Sequence, residues 1–498
     1  MATLPILFLI LCVFASEAKI FRNLHAPPPI DVPVGRATVP VWANITQRVD
    51  HFNPVDKRTW KMRYLYNDEC FVSGGPIFIY LGGEWTITTG NLMTGPIYDI
   101  ACENGGYMFY TEHRYYGESQ PTSDWSSENL KYLSADQALA DIAYFIKYQK
   151  ENVQALQNSS VVAIGGSYSA TLATWLRIKY PHFVDIAYAS SAPLNAKEDF
   201  YEYHEVVNDN LVLASSTCPT VIRSAISEIE TMLESEEGIA TVSALFRTCQ
   251  PINNTQPSRA FFFNAIAEAF ASLVQYSRPG DIESACFLIE NTTGSNPEKL
   301  ASYVNTQYTG ECMGLYNEFL DVYTSPNITA DELRQWHYQT CTEYGWFQTS
   351  TSNNQPLGNT FPLEMFNQIC KDIFGLEYDE EVLSVGVERT NAFNGADTPE
   401  ISRLISVHGS VDPWHAVGLL RDLHSTALTF VVQGSSHCAD LRSASNSDSE
   451  QIRQTKLTIR TTIARWLDEI KYGTSSGNSL RTSVITIMAT VICFIYNF

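Results

Sequence analysis

An α/β chain with a mostly parallel, doubly wound sheet is the class this sequence predicts, on three observations. Short apolar runs such as Pro76-Ile77-Phe78-Ile79-Tyr80 and Val161-Val162-Ala163-Ile164 read as strands buried on both faces. The second run breaks at Gly165-Gly166 and delivers Ser167-Tyr168-Ser169 to the start of a helix. Two further runs near the C-terminus, 401–407 and 427–432, each lead into a loop carrying acidic and histidine side chains.

The segment around Ser167 is written as a nucleophile elbow. A sharp strand-to-helix turn holds one serine clear of its neighbours and faces a backbone N–H and the helix N-terminus toward a developing oxyanion. Ser167 is therefore the candidate nucleophile, with the Tyr168 N–H as one oxyanion donor. The usual G-x-S-x-G here ends in Ser169 instead of glycine, which predicts a strained turn. The same pattern also occurs in ordinary strand-to-helix turns, so a mechanism requires partners.

Those partners follow in order. Asp412 lies just past the run 401–407, in His408-Gly409-Ser410-Val411-Asp412-Pro413-Trp414-His415. His437 lies past the run 427–432, in Gly434-Ser435-Ser436-His437-Cys438. The order Ser, Asp, His, each on a loop at a strand's C-terminal end, is the α/β-hydrolase arrangement. Asp440 is an alternative acid, but three residues beyond the histidine it is poorly placed to reach back to the ring. His408, His415 and His424 compete with His437, which is preferred for its loop position. Asp412 before proline could also be only a turn residue.

These residues carry a family resemblance. Gly165-Gly166-Ser167-Tyr168, followed by 173–182, resembles the nucleophile segment of the serine peptidase family of lysosomal Pro-Xaa carboxypeptidase, dipeptidyl peptidase II and thymus-specific serine protease. Glu112-His113-Arg114-Tyr115-Tyr116-Gly117-Glu118-Ser119 resembles a second hallmark of that family. Gln47-Arg48-Val49-Asp50-His51-Phe52 and the Asp412 and His437 blocks are most similar to the thymus-specific branch. The similarity spans roughly residues 40–470, and departs from the family where Ser169-Ala170 replace Gly-Gly.

The resemblance implies an α/β-hydrolase core with a large helical, disulfide-bearing cap. The expected division is core over 40–194 and 401–472, with the cap over 195–400. Helical spacing at 221–233 and 260–270 agrees with that. Leu81-Gly82-Gly83-Glu84 resembles the family's oxyanion loop, making the N–H of Gly82 or Gly83 the second donor, and Glu84 and Glu118 are candidate acidic contacts. The pairings it favours are Cys218–Cys286, Cys249–Cys312 and Cys341–Cys370. It implies exopeptidase action on small peptide substrates, near proline in the better-known branches, and allows a homodimer.

Residues 1–18 read as a signal peptide, and Asn44, Asn158, Asn253, Asn291 and Asn327 head Asn-x-Ser/Thr sequons, which fits a glycosylated protein of the secretory route. Cys12 in the signal and Cys493 in the tail leave an odd number of cysteines in the body, so at least one thiol is free or bridges chains. No Cys/His spacing reads as a metal site, and the chemistry needs no cofactor. A formal charge of −22, from 54 acidic and 32 basic residues, argues against a nucleic-acid partner. Residues 473–498 form a small-residue spacer and an apolar tail shorter than the ~20 residues of a membrane span, resembling a GPI-attachment signal. The expected function is a serine exopeptidase, secreted, lysosomal or held at the cell surface. Its rivals are an esterase or lipase with the same triad and a catalytically silent binding module.

Overall fold

A computed structural model describes residues 39–308, 312–329, 331–443, 446 and 448–473. The signal peptide and the apolar tail read from the sequence lie outside the described residues, except for Gly473. The central sheet has eight strands in the order β1-β2-β4-β3-β5-β6-β9-β10. They are β1 (Val41–Arg48), β2 (Thr59–Asn67), β3 (Ile77–Leu81), β4 (Tyr107–Thr111), β5 (Val161–Gly166), β6 (Ile186–Ser190), β9 (Leu404–Gly409) and β10 (Ala427–Val432). Two short strands, β7 (Lys197–Asp199) and β8 (Gly345–Phe347), pair separately. β1, β2 and β4 are joined antiparallel, and every pairing from β4 to β10 is parallel. This is an α/β-hydrolase sheet.

The alternation of side chains along each strand separates two cores. On β3 and β5, Ile77, Ile79, Leu81, Val161 and Ala163 face one side, where Leu139, Ile142, Phe145 and Ile146 of the helix Ala135–Asn152 cover them. Phe78, Tyr80, Val162 and Ile164 face the other, against Ile459, Ile463 and Trp466 of the helix Glu450–Tyr472. Such strands read as unbroken apolar runs because both faces are covered.

Between β6 and β9 the chain is mainly helical, and its apolar side chains, including Ile222, Ile226, Phe262 and Ile266, join the first core. Cys218–Cys286, Cys249–Cys312 and Cys341–Cys370 are bridged in this region, and Cys70–Cys102 is bridged in the sheet region. Cys438 is free and buried.

Two of the sequence blocks dock on one helix. The Arg114 guanidinium, fully buried, donates to both oxygens of Asp141 at 2.7 and 2.9 Å and to the Val49 and Tyr132 carbonyls. His51 Nε2 lies 2.6 Å from Asp141 Oδ1, and Gln47 donates to the Asp141 carbonyl. The Glu112 carboxylate takes bonds from Arg63, Ser119, the Ile87 N–H and the Glu118 N–H. These blocks fix the loop after β4 to the helix Ala135–Asn152, beside the elbow. Glu118 itself is exposed and paired with Arg63.

Candidate active site

The elbow is formed where β5 ends and the helix Tyr168–Lys179 begins, with Ser167 as its N-cap at φ 59° and ψ −134°. A non-glycine residue there is strained and persists only where its surroundings impose it. Three features do so. The Ser167 N–H donates to the Ser190 carbonyl at 2.9 Å, tying the turn to β6. A Cβ on Gly165 would lie 2.1 Å from the Ser169 carbonyl oxygen, and one on Gly166 would lie 2.8 Å from Leu441 Cδ1. The Ser169 hydroxyl accepts from the Gly166 N–H at 3.0 Å and donates to the Gly166 carbonyl at 2.9 Å. The strain expected from a missing glycine at 169 is thus offset by bonds that glycine could not make.

Asp412 and His437 meet at the ends of β9 and β10. His437 Nδ1 is 2.8 Å from Asp412 Oδ2, while Asp412 Oδ1 accepts the Trp414 N–H at 3.1 Å. Both side chains are buried. Burial works against charge on the His437 ring, but the Asp412 carboxylate outweighs it and raises the imidazole pKa well above its ordinary value. Burial likewise opposes the Asp412 charge, and His437 overcomes this to hold it below the usual carboxylate range. The other nitrogen, Nε2, is buried and has no hydrogen bond among the described residues. The Cys438 N–H donates to Ser191 Oγ at 3.0 Å, anchoring the histidine loop to the end of β6, where the Ser167 N–H is also held.

The competing residues are engaged elsewhere. Asp440 accepts from Tyr188 and Ser190 hydroxyls, each at 2.6 Å. His408 contacts Ser406, His415 contacts the Asp412 carbonyl, and His424 contacts the Ile401 carbonyl.

On the loop after β3, the Gly82 N–H donates to the Thr111 carbonyl at 2.7 Å, continuing the β3–β4 ladder. Gly82 is therefore withdrawn as an oxyanion donor, because its only backbone proton is spent. The Gly83 N–H has no such bond among the described residues, and the Tyr168 N–H opens a helix whose first N–H groups lack intrahelical partners. The Tyr168 hydroxyl is fixed by Gln339, Tyr344 and His113.

Glu84 follows this loop, 7 % exposed, with Oε2 lacking a hydrogen bond among the described residues. Burial pushes its carboxyl up to about 8, and it lies within electrostatic reach of His437. Tyr276 stands edge-on to the His437 ring, with centroids 5.7 Å apart. Tyr276, Gln339, Tyr344, Trp336 and Trp346 surround the site from the helical region. No local motif marks them, and the sequence reading missed them.

An α/β-hydrolase sheet carrying a strained serine elbow and a buried aspartate–histidine pair defines a serine hydrolase. Residues 47–459 match the family model for serine carboxypeptidase S28, and the chain belongs to that peptidase family. It is therefore a serine-type peptidase. It is 33% identical to a Caenorhabditis elegans protein named as a serine protease, over 86% of this chain and 88% of that one. It is 30% identical to the thymus-specific serine protease of Homo sapiens, over 89% and 90%. It is 28% identical to the lysosomal Pro-X carboxypeptidase of Mus musculus, over 89% and 92%.

Proposed function

We propose that the chain is a secretory-route exopeptidase that cleaves small peptides through an acyl-enzyme formed on Ser167, with His437 as base and Asp412 as its orienting acid. The bond from His437 Nδ1 to Asp412, which leaves the buried Nε2 without a hydrogen bond among the described residues, carries this reading. His437 Nε2 takes the Ser167 proton as Oγ attacks the peptide carbonyl. Asp412 stabilises the imidazolium that results, and the ring then protonates the leaving amine. The N–H groups of Tyr168 and Gly83 receive the oxyanion; loss of one such donor typically costs about 100- to 1,000-fold in turnover. Water, deprotonated by His437, releases the acyl group.

The helical stretch 195–400 acts as the cap over the strand C-terminal ends and sets substrate length. Cleavage near proline, as in the name of the Pro-X carboxypeptidase relative, is the first preference to test. The secretory route is supported by four disulfides and by exposure of all five sequon asparagines, Asn44, Asn158, Asn253, Asn291 and Asn327. Among the described residues no helix is long and apolar enough to cross a membrane. GPI attachment and a homodimer remain part of the proposal.

The test is labelling by a fluorophosphonate probe from acidic to neutral pH. Wild type labels and Ser167→Ala does not. Equal labelling of both, or none in folded wild type, rejects the triad.

A further inference from the structure

Behind the active site, inside the helical region, lies a cavity of about 110 Å³. Its walls are aromatic, with Phe261, Phe319, Trp336 and Trp346 among them, and its titratable side chains are Glu268 and His337, with Tyr308. The cavity adjoins the catalytic machinery through two ring contacts. Trp336 packs edge-on to Tyr168, the residue after the nucleophile, at 5.5 Å, and Trp346 packs edge-on to Trp414, two residues after Asp412, at 5.9 Å.

The chemistry of the lining is selective. Glu268 Oε1 accepts from Asn264 Nδ2 at 2.9 Å, and Oε2 has no hydrogen bond among the described residues. Among the described residues no lysine or arginine lines the cavity. The His337 ring lies edge-on to Phe319 and Tyr323, and burial holds it down to about 4, so it is neutral at physiological pH. An aromatic enclosure with one carboxylate among its described lining residues is an arrangement that recognises organic cations, through the ring faces and an ion pair. An overall charge of −22 draws cations toward such a site.

We propose that this cavity is a subsite for an ammonium group of the peptide substrate, borne by its N-terminus or by a lysine side chain, paired with Glu268 and enclosed by the aromatic walls. The proposal rests on the triad reading for its bearing on the reaction. Burial pushes the Glu268 carboxyl up to about 8. Tyr203 and Tyr308, which feel its charge, stay neutral, and neutral His337 shares the cavity, with Arg334 beside that histidine. A bound ammonium favours the ionised carboxylate, so affinity for the cation rises as pH rises toward 8.

Four tripeptides test this, with free or acetylated N-terminus and with lysine or norleucine at one position, each competing against fluorophosphonate labelling of wild type and Glu268→Gln. In wild type one charged member of a pair protects at a concentration at least ten-fold lower than its neutral match, and the lysine ratio grows between pH 6 and 8. Glu268→Gln erases the ratio, with the protection of each protein read against its own labelling rate without peptide. A ratio confined to the amine pair assigns the N-terminus, and one confined to the lysine pair assigns the side chain. Protection indifferent to charge, or a ratio that survives Glu268→Gln, overturns the subsite. Wild type that fails to label overturns the triad instead, and the same ratios are then read from the peptide-induced shift in Tm.

Discussion

The Ser169 hydroxyl bonds both the N–H and the carbonyl of Gly166, so the residue standing where an elbow commonly has glycine closes a ring across the nucleophile turn. Replacing it with alanine keeps the volume but leaves a buried N–H unpaired. Such a loss costs about 1–3 kcal/mol. Ser169→Ala is expected to unfold at lower urea concentration by that margin and to label more slowly with a fluorophosphonate. A variant as stable and as reactive as wild type would show that the two bonds are incidental.

Asp412 both orients His437 and raises its pKa. Since the base must be neutral to accept a proton, the acid limb of kcat/KM lies above the ordinary imidazole value of about 6.5. Asp412→Asn removes the carboxylate that outweighs burial, so the limb moves to lower pH, and kcat falls by about 10⁴. A pH–rate profile of both proteins reads the two effects separately.

Stability is expected to fall from pH 6.5 to 8. Burial pushes the carboxyls of Glu84 and Glu268 up to about 8 and that of Glu343 up to about 7. In that window the unfolded chain has already released those protons, so raising the pH favours unfolding. His437, raised in the fold, adds stability that is complete below its unfolded value and is lost as pH rises through its folded one. Four buried histidines, His113, His204, His337 and His408, are held down to about 4 and act oppositely, but only below about 6.5. Tm measured across this range should peak near pH 6.5, and Glu84→Gln should flatten the alkaline side.

The Arg114–Asp141 pair is wholly buried and joins three segments of chain. Removing one partner strands the other charge in the core, at a cost of roughly 3–5 kcal/mol. Arg114→Met is therefore expected to lower the urea midpoint strongly, with loss of fluorophosphonate labelling following loss of fold. The double variant Arg114→Met with Asp141→Leu should recover part of that stability, because neither charge remains.

What could be read from the sequence was whatever is decided locally. β3 and β5 are unbroken apolar runs because both faces are covered, and Ser167, Asp412 and His437 follow strand ends that such runs delimit. The choice between Gly82 and Gly83 was not local, since it depends on the register Leu81↔Thr111, which carries the Gly82 N–H onto the Thr111 carbonyl. Ser169 read as a departure because its bonds return to its own turn, which a residue pattern does not display. Cys70 and Cys102 give no spacing signal, as their bridge is set by the packing of the helix Pro96–Glu103 beside the sheet. Glu84 and Glu268 are ordinary carboxylates in sequence. Their burial arises only from packing that no local pattern displays.

The helix Gln256–Gln275 ends in a residue whose carbonyl accepts the His437 N–H at 2.9 Å and whose side-chain oxygen accepts from Trp414 and Tyr203. Glu268, seven residues earlier on the same helix, lines the aromatic cavity. The support of the His437 loop and the wall of that cavity are therefore a single rod. A shift of this rod to admit a different side chain also tilts the loop that holds the base. On the proposed triad and subsite, selectivity and turnover are mechanically linked, and exchanging the helical region for that of a relative is expected to alter both together.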